Sequence, residues 1–172
     1  MQISSVVVCG PGKIRKRNQD NYYFDGMCSS DPSDTSIQRL QSSTHNSTVY
    51  AVADGMGGEK YSEIASLLAV GSAWKIDVHR GRDELMQYVS DQNEMFCRFI
   101  TDKDGMRSGT TFVELCICGK TADLVNVGDS RAYLFRGGCL TQLSRNHTVI
   151  RQVVEFGVVP PRPPAGILTS TG

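Results

Sequence analysis

The order of segments along the chain predicts an α+β protein built on an antiparallel sheet system. Strand-like segments come first, two consecutive helical segments follow, and strand-like segments return. Alternating βαβ units would have interleaved the two kinds. The strand-like segments are short and rich in β-branched or aromatic residues, whereas Ile64, Leu67, Leu68, Gly71, Trp74 and Val78 recur at helical spacing.

Residues 3–8 read as a strand, which Cys9-Gly10-Pro11-Gly12 breaks. Asn21-Tyr22-Tyr23-Phe24 reads as a second strand closed by an Asp25-Gly26 turn. From Cys28 to Ser47 the chain is dominated by Ser, Thr, Asp, Asn and Gln, and is expected to be a surface loop. Thr48–Ala53 is an apolar strand running into Asp54-Gly55-Met56-Gly57-Gly58. Ser62 is the expected cap of the first helix, and Leu85, Val89, Gln92, Phe96 and Phe99 mark the second. Strands are expected at Thr110–Cys118, Ala122–Val127 and Arg131–Arg136, with a short one at Leu140–Leu143 and a short helix at Thr148–Phe156. Pro160, Pro161, Pro163 and Pro164 then end regular structure, so the reading is one domain over 1–159 and a proline-rich irregular tail over 160–172.

Composition narrows the function classes. The 172 residues carry 18 Lys+Arg against 18 Asp+Glu, a balance without the basic footprint of a nucleic-acid binder or a polybasic membrane anchor. No apolar run approaches the roughly 18 residues of a membrane span, and Met1–Val8 lacks the basic start of a signal peptide. A cytoplasmic chain with no nucleic-acid or membrane partner is the expectation. Cys9, Cys28, Cys97, Cys116, Cys118 and Cys139 form no CxxC pair and no zinc spacing, so they read as core thiols.

Three constellations carry potential chemistry. Arg15-Lys16-Arg17-Asn18-Gln19-Asp20 precedes a strand, and taken singly it is also what a solvated basic turn looks like. Asp54 sits at a strand end before glycines that permit positive φ and close backbone approach, as a metal or phosphate site needs; a tight turn capped by Asp reads the same way. Gly109-Thr110-Thr111 opens a strand, and Asp129 lies in Gly128-Asp129-Ser130, between two strands where a hairpin turn is expected.

In this order the segments resemble the PPM (type 2C) metal-dependent Ser/Thr protein phosphatases, the bacterial members above all. The matching stretches are Gly12–Asp20, Val52–Gly58 with Glu63–Ser66, Ser108–Thr111, and Val127–Leu134 with Leu140–His147. The resemblance extends to about Val159, nearly the whole chain. It implies two antiparallel sheets packed face to face with helices outside, an αββα sandwich. It implies hydrolysis of phosphoserine and phosphothreonine by a metal-activated water, with two Mn²⁺ or Mg²⁺ ions about 4 Å apart and a third, weaker ion in bacterial members.

By the same resemblance Asp54 matches the carboxylate that bridges both metals, and Gly55 the backbone carbonyl beside it. Asp20 matches an acidic residue of the metal shell, and Asp129 the aspartate of the third ion. Arg15 matches the arginine that holds the substrate phosphate, where a planar fork suits two oxygens. The implied partners are phosphorylated Ser/Thr proteins and a cognate Ser/Thr kinase. Gln19 stands where many members have Glu, Met56 where animal members often have His, and Asn146 where Asp usually precedes His147. Complete members carry two further metal-binding aspartates, yet downstream of Asp129 this chain has a single carboxylate, Glu155. The expectation is therefore a sandwich incomplete at the C-terminus, from a truncated or frameshifted product. Its alternative roles are a catalytically impaired phosphoprotein binder and an inactive fragment.

Overall fold

A computed structural model describes residues 1–29, 36–56, 61–101 and 108–147. The helix expected over Thr148–Phe156 and the tail at 160–172 lie outside the described residues. The central element is a five-stranded antiparallel sheet in the order β3-β2-β5-β6-β7. It comprises β2 (Asp20–Phe24), β3 (Met27–Cys28), β5 (Ser47–Asp54), β6 (Phe112–Cys118) and β7 (Thr121–Val127). The turn between β2 and β3 holds Asp25 at φ 51° and Gly26 at φ 82°, so the expected Asp-Gly turn forms.

Side chains alternate across this sheet, and the two faces meet different partners. Val49, Ala51, Ala53, Phe112, Cys116 and Val125 face the helices α1 (Ser62–Gly71) and α2 (Gly81–Thr101), and form one core with Ala69, Val70, Ala73, Leu85 and Tyr88. Tyr88 locks the two helices together, its phenol donating to the Ala69 carbonyl at 2.8 Å. The opposite face carries Tyr22 and Tyr50, whose hydroxyls reach a two-stranded ribbon of β1 (Gln2–Cys9) and β4 (Gln38–His45). Tyr50 and Ser5 share a hydrogen bond of 2.8 Å, and Tyr22 donates to Gln38 Oε1 at 2.7 Å. A third pair, β8 (Tyr133–Arg136) with β9 (Cys139–Gln142), closes through Gly137 and Gly138, both at positive φ as a two-residue hairpin turn requires. The layering is helices, sheet, second sheet: the α+β architecture with packed antiparallel sheets.

Four details differ from the sequence reading. The segment read as a Cys28–Ser47 loop contains β4, eight residues paired with the whole of β1 from Gln2↔His45 to Cys9↔Gln38. Its residues are polar because they are only half-buried, and β4 forms because the β-branched β1 offers a backbone ladder. Ser62 is not the cap of α1. Tyr61 holds that position in the left-handed region, and the Ser62 hydroxyl turns back to the Met56 carbonyl at 2.7 Å. The buried stripe of α1 is Ser62, Ala65, Ser66, Ala69 and Val70, small residues that let the helix lie close on the sheet; Ile64, Leu67 and Leu68 are only partly covered. The helix stops at Gly71, a short 3₁₀ turn spans Ala73–Lys75, and Trp74 is exposed with Lys75 Nζ 5.4 Å from its ring.

All six cysteines are free; Cys116 is buried as a core thiol, while Cys97 and Cys139 are exposed. No helix among the described residues is long and apolar enough to cross a membrane.

The core also holds a group that periodicity does not reveal. Glu114 is fully buried on the helix-facing side of β6, between Ala51 and Val125 on the flanking strands. Neither carboxyl oxygen has a hydrogen-bond partner among the described residues. Burial raises its pKa from 4.5 to about 8, so the neutral acid is the core form. Between those values the folded state binds more protons than the unfolded chain, and stability falls as pH rises. We expect urea unfolding to show that decline from about pH 5 to 8, with Glu114→Gln removing on the order of 2 kcal/mol of it. Equal pH slopes in the two proteins would refute the assignment.

Candidate functional site

The site begins as a register. β2 opens at Asp20 and β5 closes at Asp54, and antiparallel pairing makes these two residues direct Cα partners. Alternation from Tyr22 and Val52 puts both carboxylates on the face away from the helices, at one end of the sheet. A one-residue slip would send one of them to the helix side.

Gly55 follows because nothing larger fits. A Cβ there would lie 2.5 Å from the Gln19 carbonyl oxygen and 2.7 Å from that of Ser62, both backbone atoms. Its N–H donates to Gln19 at 3.2 Å. Gly55 also bridges to Thr110, with the Met56 N–H donating to the Gly109 carbonyl at 3.0 Å and the Thr111 N–H to the Asp54 carbonyl at 2.8 Å. Those two bonds use the neighbours of Gly55, so its own carbonyl is not spent on the bridge.

Hydroxyl groups fix the surrounding backbone. Ser66 donates to the Gln19 carbonyl at 2.7 Å, pinning the residue before Asp20 to α1. Thr110 donates to the Asp54 carbonyl at 3.0 Å, and Thr111 Oγ1 accepts from the Asp54 N–H at 3.1 Å. Thr111 Oγ1 also lies 2.6 Å from Ser130 Oγ, tying the turn that carries Asp129 to the same strand end. Gly128 adopts φ +93°, with Thr111 atoms only 2.9 Å from where a Cβ would stand. Asn18 Oδ1 accepts from the Asp20 N–H at 3.1 Å.

The electrostatics follow from this crowding. Desolvation, then the charge of Asp54 and a hydrogen bond with it, push the Asp20 carboxyl up to about 6. The Gly55 backbone and the Arg15 charge pull in the opposite direction. Arg15 lines a cleft of about 340 Å³ together with Arg17, Asn18, Asp20, Asp54 and Gly55. A second, apolar groove of about 210 Å³ runs between the helices and β6, but none of its lining residues is a carboxylate or a cation.

The structure thus brings together Arg15, Asp20, Asp54 and Gly55 among the expected site residues. Asp129 is exposed in the Gly128–Ser130 turn, and Gly128-Asp129 is not a hairpin turn: β7 and β8 belong to different sheets, so the chain crosses between them. Among the described residues no group of three or more His, Cys, Asp or Glu side chains is arranged to hold a metal. The donors that do converge are all oxygens, two carboxylates and a backbone carbonyl, which fits a hard divalent cation whose remaining positions are filled by water. Ser66 and Ser130, which hold this backbone, carried no individual role in the sequence reading, and Ser62 carried only that of a helix cap. The four-residue spacing of Ser62 and Ser66 on one helical face was their visible signal.

This fold and site define a class: layered antiparallel sheets with an acidic pair and a guanidinium at one sheet end. Residues 10–153 match the family model described as Protein phosphatase 2C, and the chain belongs to that family. It is 28% identical over 159 residues to the serine/threonine phosphatase stp of Listeria welshimeri, covering 86% of this chain and 56% of that one. The crystal structure of the Mycobacterium tuberculosis serine/threonine phosphatase PstP/Ppp superposes with TM-score 0.69 at 25% identity, covering 93% of this chain and 61% of its own. The catalytic domain of PstP in complex with two manganese ions gives TM-score 0.68 at 24% identity. The chain therefore spans 56% to 64% of the length of these relatives.

Because the atoms crowding Gly55 are backbone, Gly55→Ala is expected to cost about 1–3 kcal/mol in urea unfolding. Gly71→Ala, with nothing within 4 Å, should stay within about 0.5 kcal/mol. Similar losses at both positions would contradict the packing argument.

Proposed function

We propose that this chain is the core of a metal-dependent protein Ser/Thr phosphatase, acting on phosphoserine and phosphothreonine in phosphorylated proteins. The observation that carries the reading is the facing pair Asp20 and Asp54 sharing one cleft with Arg15. Asp54, Asp20 and the Gly55 carbonyl would hold Mn²⁺ or Mg²⁺; the similar PstP catalytic domain is in complex with two manganese ions. Bound there, such an ion lowers the pKa of a coordinated water and polarises the phosphoryl group.

The remaining work belongs to the chain. Arg15 holds phosphate oxygens with its planar fork and orients the ester over the acidic pair. Thr110, Thr111 and Ser66 hold the backbone at both aspartates, which keeps the carboxylates facing each other. Asp129, on a turn joined to Thr111 through Ser130, would serve a further ion under this reading. The targets of a cognate Ser/Thr kinase are the natural substrates under this reading, and a cytoplasmic location accords with six free cysteines.

A second reading, phosphoprotein binding without turnover, rests on one observation. Among the described residues no third His, Cys, Asp or Glu side chain joins Asp20 and Asp54. Hydrolysis of a phosphothreonine peptide by the purified chain separates the two. The phosphatase reading expects turnover with Mn²⁺, none with chelator, and a loss of at least about 100-fold in Asp54→Ala. Binding with no metal-dependent turnover in the folded chain would favour the second reading.

Metal binding has its own readout. Like charges directly opposite across a sheet cost about 0.2–1 kcal/mol, so Asp54→Asn should raise the melting temperature of the metal-free protein slightly. Mn²⁺ should then raise the melting temperature of the wild type and not of the variant. Equal stabilisation of both by Mn²⁺ would place the ion elsewhere.

A further inference from the structure

The cleft holds one cation more than a single phosphate needs. Arg15 and Arg17 both line it, whereas the intervening Lys16 does not. The ion pairs among the described residues are Arg80–Glu84 and Arg98–Glu94, so neither cleft guanidinium is in a close ion pair with a carboxylate there, although the Arg15 charge acts on Asp20. Arg17 is also exposed and makes no hydrogen bond among the described residues. A divalent ion on Asp20 and Asp54 would neutralise those two carboxylates and leave two guanidinium charges facing the cleft.

We propose that Arg17 is a specificity-determining residue that reads a second anionic group on the substrate, next to the phosphoester held by Arg15. This deepens the proposed function and rests on its assignment of Arg15 to the phosphate. Residues two apart span at most about 7 Å of chain, which is also the reach of two residues in an extended peptide. A flanking anion within two residues of the phosphorylated one matches that backbone spacing and is the position the test peptides carry. Its chemistry is that of a planar or tetrahedral oxyanion, either the carboxylate of a neighbouring Asp or Glu or a second phosphate, since a guanidinium fork pairs with both. The preferred substrate is an acidic or multiply phosphorylated segment. Electrostatic recognition of this kind weakens with added salt.

The test measures binding, so that it stands apart from turnover. Fluorescein-labelled peptides carry a non-hydrolysable phosphonate in place of phosphothreonine, and anisotropy is read with Mn²⁺ present. One peptide has neutral flanks, one has Asp within two residues, and one has a second phosphothreonine. The wild type should bind at least one anionic peptide about tenfold tighter than the neutral one, as a charge-assisted hydrogen bond allows. In Arg17→Ala that ratio should fall to within about twofold, and Arg17→Lys should restore part of it. Whichever anionic peptide gains identifies the source of the anion.

A wild-type ratio near one overturns the proposal. So does an unchanged ratio in Arg17→Ala, which would mean that Arg17 shares the phosphate with Arg15 or contributes nothing. Absence of binding by any peptide overturns it together with the role given to Arg15. Retained, Arg17-dependent preference without hydrolysis of the matching phosphothreonine peptides would sink the hydrolase reading and leave this inference standing.

Discussion

The pairing of β2 with β5 is the constraint on which the site depends. One antiparallel register brings Asp20 opposite Asp54, and the same register puts Tyr22 and Tyr50 toward the β1–β4 ribbon and Ala51 and Ala53 toward the helices. The site and the core are therefore specified by one alignment. A slip that moved the aspartates would also expose the alanines and bury the tyrosines on the wrong side. Burial on both faces thus enforces a geometry that the two like charges would by themselves oppose.

That opposition is visible in the electrostatics. Asp20 is held up to about 6 by desolvation and by its neighbour Asp54. Short polar side chains supply the compensating rigidity. The hydroxyls of Ser62, Ser66, Thr110 and Thr111 bond to backbone atoms of the two strand ends, and Gly55 is the close approach that lets α1 reach them. The small face of α1 has the same origin. Leucine in place of Ala65 or Ser66 would hold the helix off the sheet and break the hydroxyl contacts.

Glu114 is a second place where local chemistry and fold disagree. Its carboxyl is sealed between Ala51 and Val125, while the nearby Tyr88 phenol is already committed to the Ala69 carbonyl. A neutral acid is tolerated there at a cost, and that cost grows with pH because ionisation adds a buried charge. The group sits three residues beyond Thr111, which immediately precedes β6, yet on the helix side of the sheet, so it belongs to the core and not to the cleft.

The amino-acid sequence by itself determined the fold class and pointed to the residues that line the candidate cleft. Strand–helix–helix–strand order, β-branched runs and the Asp-Gly turns are local properties, and local properties survive in sequence. Arg15, Asp20, Asp54 and Gly55 were legible because they cluster in two short motifs at element ends. Tertiary structure decided what depends on partners distant in the chain. β4 is polar and half-buried, and only the β1 ladder, some 30 to 40 residues away, makes it a strand. The Gly128–Asp129 turn has hairpin composition, but its flanking strands pair elsewhere, so the chain crosses between sheets. Nor does spacing show that Ser66 reaches back to Gln19, or that Arg17 and Lys16 part at the cleft. Periodicity records which face of its own element a residue takes, whereas what that face meets is set only when the elements pack.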